Sequence, residues 1–440
     1  MNRLGSCVAV LSFVLAACTG EAPPNLLLVS IDTLRADKLE VYGQRRPTSP
    51  AIAAFAAQGL VVETALSTSP WTLPAHASLL TGLYPSRHGV RSMLHGLPAA
   101  VEPLAERLAA AGYHTGAIVN SRYLANRYGW HRGFDAFEHV PETAGRIAPT
   151  EVHGKAVAWL EAVRERPFFL FLHYYDVHSD YRSLPRYERE LVRRYKGPVN
   201  GSTKQLLRYE RGEVVFDNQG KRNLVDRYVA GIRQMDDGVG ALLAKLDELG
   251  LVENTLVVLT SDHGEEFLEH DGVLHGRTLH EEVVRVPLIL RGPGVPIGQE
   301  LGGLASLVDV VPTVLSLLGL PAPAEVDGVD LSQYFTAGLP AERSVFSEAD
   351  HKNERNDALR GIRRGDWKLV LDRFNGELAL YDLAADPGER DDVSERRPEV
   401  VRELRAGLDA FMARPAVAES RVLDGLQPRE LEQLRALGYL

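Results

Sequence analysis

An α/β architecture is predicted: a mostly parallel central sheet sandwiched by helices, with a small C-terminal antiparallel sheet plus a helix. Three features carry that prediction. Asn25 to Ile31 (NLLLVSI) and Thr255 to Thr260 (TLVVLT) are near-continuous aliphatic runs, as expected of strands buried on both faces. Segments of helical periodicity alternate with such runs, as strand–helix–strand units require. Both runs end in acidic or imidazole side chains, Asp32 after the first and Asp262-His263 after the second. Ligands bind outside the carboxyl ends of the strands in sheets of this kind, so one polar site is expected at that edge.

The chain opens on a segment that does not belong to the sheet. Asn2 and Arg3 precede an apolar run from Cys7 to Ala17. At about 1.5 Å per residue it is too short to cross about 30 Å of hydrocarbon, and it reads as a signal h-region. Leu15-Ala16-Ala17-Cys18 then resembles the bacterial lipobox, whose cleavage leaves the cysteine as a lipidated first residue. An ordinary signal peptide cleaved nearby is the alternative. Acyl chains at about 0.8 kcal/mol per buried CH₂ anchor a protein without a transmembrane helix. The expectation is a signal peptide over 1–17 and lipidation of Cys18, holding the protein to a membrane of the bacterial cell envelope. Thr19, rather than Asp, favours the outer membrane or the periplasmic face.

Further strands are expected at His114 to Val119, Phe168 to His173 (FFLFLH) and Val286 to Leu290. Helices are expected over Ile52 to Gln58, Val101 to Ala111, Asn223 to Leu249 and Leu304 to Leu318. Tyr181 to Arg222 breaks the pattern, with eleven Lys/Arg against five Asp/Glu and four interleaved tyrosines. It reads either as a solvated insertion loop or as a lid that attracts an anionic substrate or a lipid headgroup surface. A Pro-rich linker, Pro321 to Gly328, ends a catalytic domain spanning 18–328. A C-terminal subdomain over 329–440 follows, with strands in Gly361 to Leu371 and Leu378 to Leu383 and a helix from Val400 to Met412.

Composition narrows the function. The 440 residues are 45% hydrophobic and 25% charged, in the globular range. A formal charge of -10 has the wrong sign for a nucleic-acid partner. The two cysteines, Cys7 and Cys18, both lie near the N-terminus, so the body has no disulfide, no Cys-based zinc site and no Cys nucleophile.

Four segments carry chemistry. Ile31-Asp32-Thr33-Leu34-Arg35 follows the first strand. Trp71-Thr72-Leu73-Pro74-Ala75-His76 opens a helix, with Pro74 suited to an early helical position. A hydroxyl there sits beside unpaired N–H groups, where an anion docks. His173-Tyr-Tyr-Asp176-Val-His178 ends the FFLFLH strand, and Asp262-His263-Gly264-Glu265 is followed by His275-Gly276-Arg277. Asp and His side chains from several strand ends suit a hard-to-borderline divalent cation. His88, His270 and His280 read as surface or supporting groups. Glu265 and Glu266 are expected to begin a solvated turn, and Arg35 to be an ion-pair partner.

From about Pro24 onward the chain resembles the sulfatase family of the alkaline phosphatase superfamily. The segments that carry the likeness are NLLLVSIDTLRAD, HASLLTGLYPSRHG, DVHSDY, LTSDHGEEFLEH and HGRTLHEEVVRVPLILRGPG. At the C-terminus Gly361 to Leu371, Leu380-Tyr-Asp-Leu and Asp386-Pro-Gly-Glu389 resemble the family's small sheet. Two departures change the implied chemistry. Sulfatases carry Cys or Ser, oxidised to formylglycine, two residues before Pro and four before Arg, where this chain has Thr72, Pro74 and His76. They also end the first strand in two metal-binding aspartates, where this chain has Asp32 and Thr33. Formylglycine cannot form at Thr72. Asp32, Thr72, Asp262 and His263 instead resemble the set used by the superfamily's phosphoglycerol and phosphoethanolamine transferases.

The resemblance implies one divalent metal ion (Ca, Mn or Zn) held by Asp32, Thr72, Asp262 and His263. Thr72 would be the nucleophile on a sulfate or phosphate ester, with phosphate favoured. His178 and His275 would serve the leaving group, and His76 and Arg277 the nonbridging oxygens. The expected substrate is an anionic ester of a glycan, a lipid headgroup or a small molecule. The alternatives are an envelope phosphoglycerol- or phosphoethanolamine-type transferase and a non-catalytic glycan- or lipid-binding lipoprotein.

Overall fold

The computed structural model describes residues 23–142, 150–350 and 359–423. The leader and Cys18 lie outside the described residues. Among the described residues nine strands form the central sheet, in the order Arg285–Val286, Leu60–Leu66, Leu288–Arg291, Thr255–Thr260, Asn25–Ile31, Phe168–Tyr174, His114–Val119 and Ala136–His139, with Gln299–Ser306 also paired to Leu60–Leu66. The central strands run parallel, and antiparallel pairing is confined to the strands Leu288–Arg291 and Arg285–Val286. The fold is the expected mostly parallel α/β sheet between helices.

Burial explains the aliphatic runs. Every residue of Asn25–Ile31 and of Phe168–Tyr174 is buried. Side chains alternate across a strand, so Leu26 and Leu28 enter one core while Leu27, Val29 and Ile31 enter the other. Among the described residues no helix is long and apolar enough to cross a membrane.

Two expected helices are redrawn. The stretch Leu304 to Leu318 divides into the end of strand Gln299–Ser306 and helix Val310–Leu317. The break falls at Ser306, whose N–H donates to Asp309 Oδ2 at 2.7 Å. The helix placed at Asn223 begins at Asn218 and runs to Glu248, because Asp217 caps it by accepting from Gly220 N at 2.7 Å. Its buried Asp236 accepts from Ala51 N and Ile52 N, at 2.9 and 2.8 Å, and so fixes the start of helix Pro50–Ala56.

The insertion is not a plain solvated loop. It contains helices Pro185–Leu191 and Thr203–Glu210, and its Tyr181 and Tyr187 are buried in the core on the second face of the sheet. Part of its positive charge is paired: Arg193 meets Asp226, which also holds Arg46, and Arg208 and Arg211 meet Glu213.

Ser344–Ala349, Leu359–Arg364, Trp367–Asp372 and Leu378–Asp382 form a separate four-stranded antiparallel sheet. Helix Pro398–Met412 covers it with Leu404, Leu408 and Phe411, spaced to share one helical face. The same cluster includes Tyr84 and Val308 from the larger part of the chain. Leu408→Ala should cost about 2–5 kcal/mol in a denaturant titration followed by circular dichroism. A change under about 0.5 kcal/mol, the size of an ordinary surface substitution, would mean that this face does not hold the small sheet.

Candidate active site

Strand register builds the site. Ser30 pairs with both His173 and Thr260 across parallel ladders, so the carboxyl ends of three strands lie level. Asp32, His173 and Asp262 leave that edge side by side. Asp32 N donates to Tyr174 O at 2.9 Å, carrying the pairing one residue further. The chain then reverses through Thr33 at φ 59°, a costly conformation for a β-branched residue. Thr33 N donates to Asp262 Oδ1 at 3.2 Å, Leu34 N donates to Ser261 Oγ at 2.9 Å, and Tyr228 Oη donates to Thr33 O at 2.6 Å. Where the family carries a second aspartate, this chain thus has a backbone N–H fixing the other carboxylate.

Thr72 is the first residue of helix Thr72–Thr81, after an extended Trp71, and all ten helical residues are buried. Its Oγ1 lies 3.5 Å from His263 Nε2. His263 Nδ1 donates to Gly264 O at 2.9 Å, which directs Nε2 at the carboxylates: 3.3 Å from Asp262 Oδ2 and 3.7 Å from Asp32 Oδ1. Asp32, Asp262 and His263 present ligand atoms within 4.8 Å of one another.

These residues fit a divalent cation. Both Asp32 oxygens and Asp262 Oδ2 are buried without a hydrogen-bond partner, and among the described residues no Lys or Arg pairs with either carboxylate. An uncompensated buried carboxylate costs several kcal/mol. Burial and the neighbouring charge of Asp262 push the Asp32 carboxyl well up, and burial pushes Asp262 up. Burial holds His76, His173 and His263 below the usual imidazole value, in the neutral form that ligates a metal.

A second group borders the first. His275 stands 4.4 Å from His263 and 5.0 Å from His178, ring centre to ring centre. Its Nδ1 donates to Glu265 Oε1 at 2.9 Å, which sets its tautomer and orientation. Burial pushes His178 down to about 3. It is therefore neutral, and its Nδ1 donates to Ser179 O at 2.9 Å.

A family model described as "Sulfatase" matches residues 24–320, and one described as "N-sulphoglucosamine sulphohydrolase, C-terminal" matches 269–414. The chain belongs to the sulfatase family. It is 27% identical to the N-acetylgalactosamine-6-sulfatase of Canis lupus familiaris over 418 residues, 80% of this chain and 73% of that one. It is 25% identical to arylsulfatase K of Mus musculus over 448 residues, covering 90% and 81%. A solved structure of a protein with its substrate D-glucosamine-2-N,6-O-disulfate superposes at TM-score 0.75 with 20% identity, covering 88% of this chain and 97% of that one. The phosphonate monoester hydrolase of Agrobacterium radiobacter superposes at 0.71 with 21% identity, covering 88% and 96%. This sulfatase-family protein is an ester hydrolase, and its carboxylate and imidazole groups are suited to a divalent metal.

Several side chains of the hydrolase differ from expectation. Glu265 and Glu266 are buried rather than starting a solvated turn. Gly264 N and Glu265 N donate to Val283 O and Glu282 O at 2.7 and 3.1 Å, tucking the loop inward. A Cβ on Gly264 would lie 2.1 Å from Glu282 O, so only glycine fits this approach. The apolar Phe267-Leu268 directly after the glutamates is the sequence signal for that burial. His76 is fully buried: its Nε2 meets Ser30 Oγ at 2.9 Å and its Nδ1 meets Thr72 O at 2.8 Å. Arg277 meets Glu210 of the insertion at 3.2 Å. Arg35 is held by Asp37 and Glu269 and donates to Glu265 O at 2.9 Å. His88 is buried against Ser78 Oγ at 3.2 Å and is not a surface group. His270 and His280 stack at 3.6 Å and reach Glu282 and Glu389. Sequence reasoning gave no role to Ser30, and it named His173 only as the start of a chemistry-bearing segment.

Burial, with Glu282 nearby, pushes the Glu266 carboxyl up to about 8. The folded state therefore retains a proton that the unfolded state releases near its ordinary 4.5. That contribution to stability is fully present below about 4.5 and is lost as pH rises through about 8. Thermal unfolding between pH 5 and 9 should show the decline in the wild type and a flatter profile in Glu266→Gln. Parallel profiles would mean that Glu266 is ionised in the fold.

Proposed function

We propose that this chain is a divalent-metal-dependent hydrolase of anionic esters that attacks with Thr72 Oγ1, prefers phosphorus to sulfur, and works from a lipid anchor on Cys18 at the cell envelope. The observation that carries the reading is the hydroxyl of Thr72 beside His263, at the mouth of two buried carboxylates whose Asp32 oxygens and Asp262 Oδ2 lack hydrogen-bond partners. Asp32, Asp262, His263 and Thr72 Oγ1 would hold a divalent cation, which would supply the Lewis acidity that lets the Thr72 hydroxyl release its proton to solvent at neutral pH.

The chain's own groups supply the rest. Thr72 Oγ1 forms a bond to phosphorus as the bond to the leaving oxygen breaks, and the leaving oxygen takes a proton. Glu265 orients His275 for that transfer. His178, neutral and with its N–H on Ser179 O, presents Nε2 as an acceptor. Arg277, two residues beyond His275, and the N-terminus of helix Thr72–Thr81 draw in the anion. Water then cleaves the covalent Thr72 ester in line and restores the hydroxyl. A sulfothreonine has no such easy exit, because threonine lacks the geminal hydroxyl through which a formylglycine hydrate eliminates sulfate. The names of the relatives favour a second reading, a sulfate ester substrate.

Turnover of an aryl phosphate, a phosphodiester and an aryl sulfate separates the two. Phosphate ester turnover is expected. It should fall by at least about 10³-fold in Thr72→Ala and by about 10²–10⁴-fold in His275→Ala. Sulfate turnover as fast as phosphate would defeat the preference for phosphorus, and full activity in Thr72→Ala would defeat the nucleophile.

Anchoring has its own test. In a bacterial host that processes lipoproteins, the wild type should pellet with membranes and Cys18→Ser should be soluble. Identical fractionation of the two would remove the anchor.

A further inference from the structure

We infer that the protein stands on its membrane by the amino edge of the central sheet, with its reacting edge turned away from the lipid. Its substrate is then a water-borne ester rather than a headgroup of the anchoring leaflet. The inference rests on the proposed lipid anchor at Cys18 and deepens the proposed function, because it decides among the anionic esters that the site could take.

Strand Asn25–Ile31 fixes the two ends. It enters at Asn25, which pairs with Thr255, the first residue of its neighbour, and it leaves at Ile31, directly before Asp32. Its seven residues, at about 3.3 Å each, put about 23 Å between the entry and the site. The segment that precedes the strand is pinned at the entry. Tyr113 Oη donates to Pro24 O at 3.0 Å, and Asn254 Nδ2 donates to Pro23 O at 3.4 Å. Both donors belong to the amino edge, Tyr113 directly before strand His114–Val119 and Asn254 directly before Thr255–Thr260. Pro23 is exposed, so the described chain starts at the surface of that edge.

Tether length decides the orientation. Five residue steps separate Cys18 from Pro23, and five steps span at most about 18 Å when fully extended. With the site against the lipid, the strand stands inverted and its entry lies at least about 23 Å above the membrane, beyond the reach of that tether. Burial widens the gap. Asp32, Asp262 and His263 have no exposed surface, so more protein lies between them and any lipid. His275 stands 4.4 Å from His263, ring centre to ring centre, and Arg277, two residues on, meets Glu210 of the insertion at 3.2 Å. With the amino edge down, the tether need cover only the space beneath Pro23.

The consequence is chemical. A phosphodiester lipid of the anchoring leaflet keeps its phosphate at headgroup level, because its acyl chains are held by about 0.8 kcal/mol per buried CH₂. Lifting that phosphate to the site draws the chains out of hydrocarbon. A water-borne ester meets no such cost. The same geometry sets aside an envelope transferase that takes its group from a lipid of that leaflet.

Under the proposed anchor the mature chain has no free thiol, since Cys7 leaves with the leader and Cys18 carries lipid, so an engineered cysteine takes a dye uniquely. The lipidated protein, expressed from the full chain, is reconstituted into phosphatidylcholine vesicles that carry an acceptor-labelled lipid. Its dye sits at Glu253→Cys on the amino edge or at Arg211→Cys beside Glu210, both exposed positions. Energy transfer should place the Arg211 dye farther from the membrane than the Glu253 dye by about 20 Å or more, the span of the strand. Ala111→Cys, before strand His114–Val119, and Gln219→Cys, in the first turn of helix Asn218–Glu248, repeat the measurement should either first variant not fold. Membrane-bound wild type and free Cys18→Ser should share one kcat/KM on a soluble phosphate ester. Equal dye distances, a nearer Arg211 dye, or a tenfold loss of kcat/KM on the membrane overturns the orientation and leaves the anchor standing. Protein that does not attach to the vesicles overturns the anchor and the orientation together.

Discussion

The carboxylates of Asp32 and Asp262 set the terms for everything around them. Each is fully buried, each is pushed toward its protonated form, and their orphaned oxygens face one another's surroundings rather than a protein cation. A fold does not retain such a pair for stability, since an apolar pair of similar size would serve better. Arg35, only three residues from Asp32, shows that the chain could have supplied a guanidinium. Its charge is instead spent on Asp37 and Glu269. What the carboxylates lack is a cation from outside the polypeptide, and the neutral imidazoles around them are donors of the kind that such a cation takes.

Rigidity makes this arrangement affordable. The side chains come from strand ends locked by parallel ladders on both flanks of Asn25–Ile31, so their relative positions follow the hydrogen-bond register more than loop conformation. Where the chain must leave the sheet, it is pinned again. Thr33 holds a left-handed turn against its own β-branching because Asp262, Ser261 and Tyr228 each bond the segment it opens. Tyr228 comes from the middle of helix Asn218–Glu248, whose Asp236 also anchors helix Pro50–Ala56. One long helix therefore couples the reacting edge to the packing of the layer beneath it.

The amino-acid order disclosed the fold through its most buried parts. Unbroken aliphatic runs ending in Asp32 or in Asp262-His263 announce parallel strands and a polar edge, because only a strand covered on both faces has no reason to alternate. Partial burial was harder to read. Leu304 to Leu318 has apolar residues enough for either element, and the strand-to-helix change at Ser306 depends on pairing with Leu60–Leu66, a partner distant in sequence. Glu265 and Glu266 looked like solvent-facing charges because glutamate usually is; what buries them is the approach of Glu282 and Val283 to a glycine. Ser30 was invisible as a site residue, and His173 had no assigned role, for a similar reason. Both sit inside strands whose other members are core, and their alignment with His76 and Asp32 is a matter of register. The insertion's charge is smaller in effect than its composition, since Arg193, Arg208 and Arg211 are already paired with Asp226 and Glu213.

Replacement of the family's oxidisable residue by threonine joins these strands of argument. A formylglycine hydrate carries its own means of release, so its metal centre need only hold and activate. A threonine ester can leave only by displacement at the central atom, and the entering water needs charge neutralisation on the opposite side from the threonine oxygen. That requirement favours phosphorus, which accepts in-line attack readily. In the same helix turn that carries threonine at the family's oxidisable position, this chain carries His76 where the family has arginine, trading a fixed positive charge for an imidazole bonded to Ser30 and to Thr72 O. Under the proposed function the anion's charge then falls to the helix N-terminus and the bound cation, since an imidazole held neutral by burial does not replace a guanidinium.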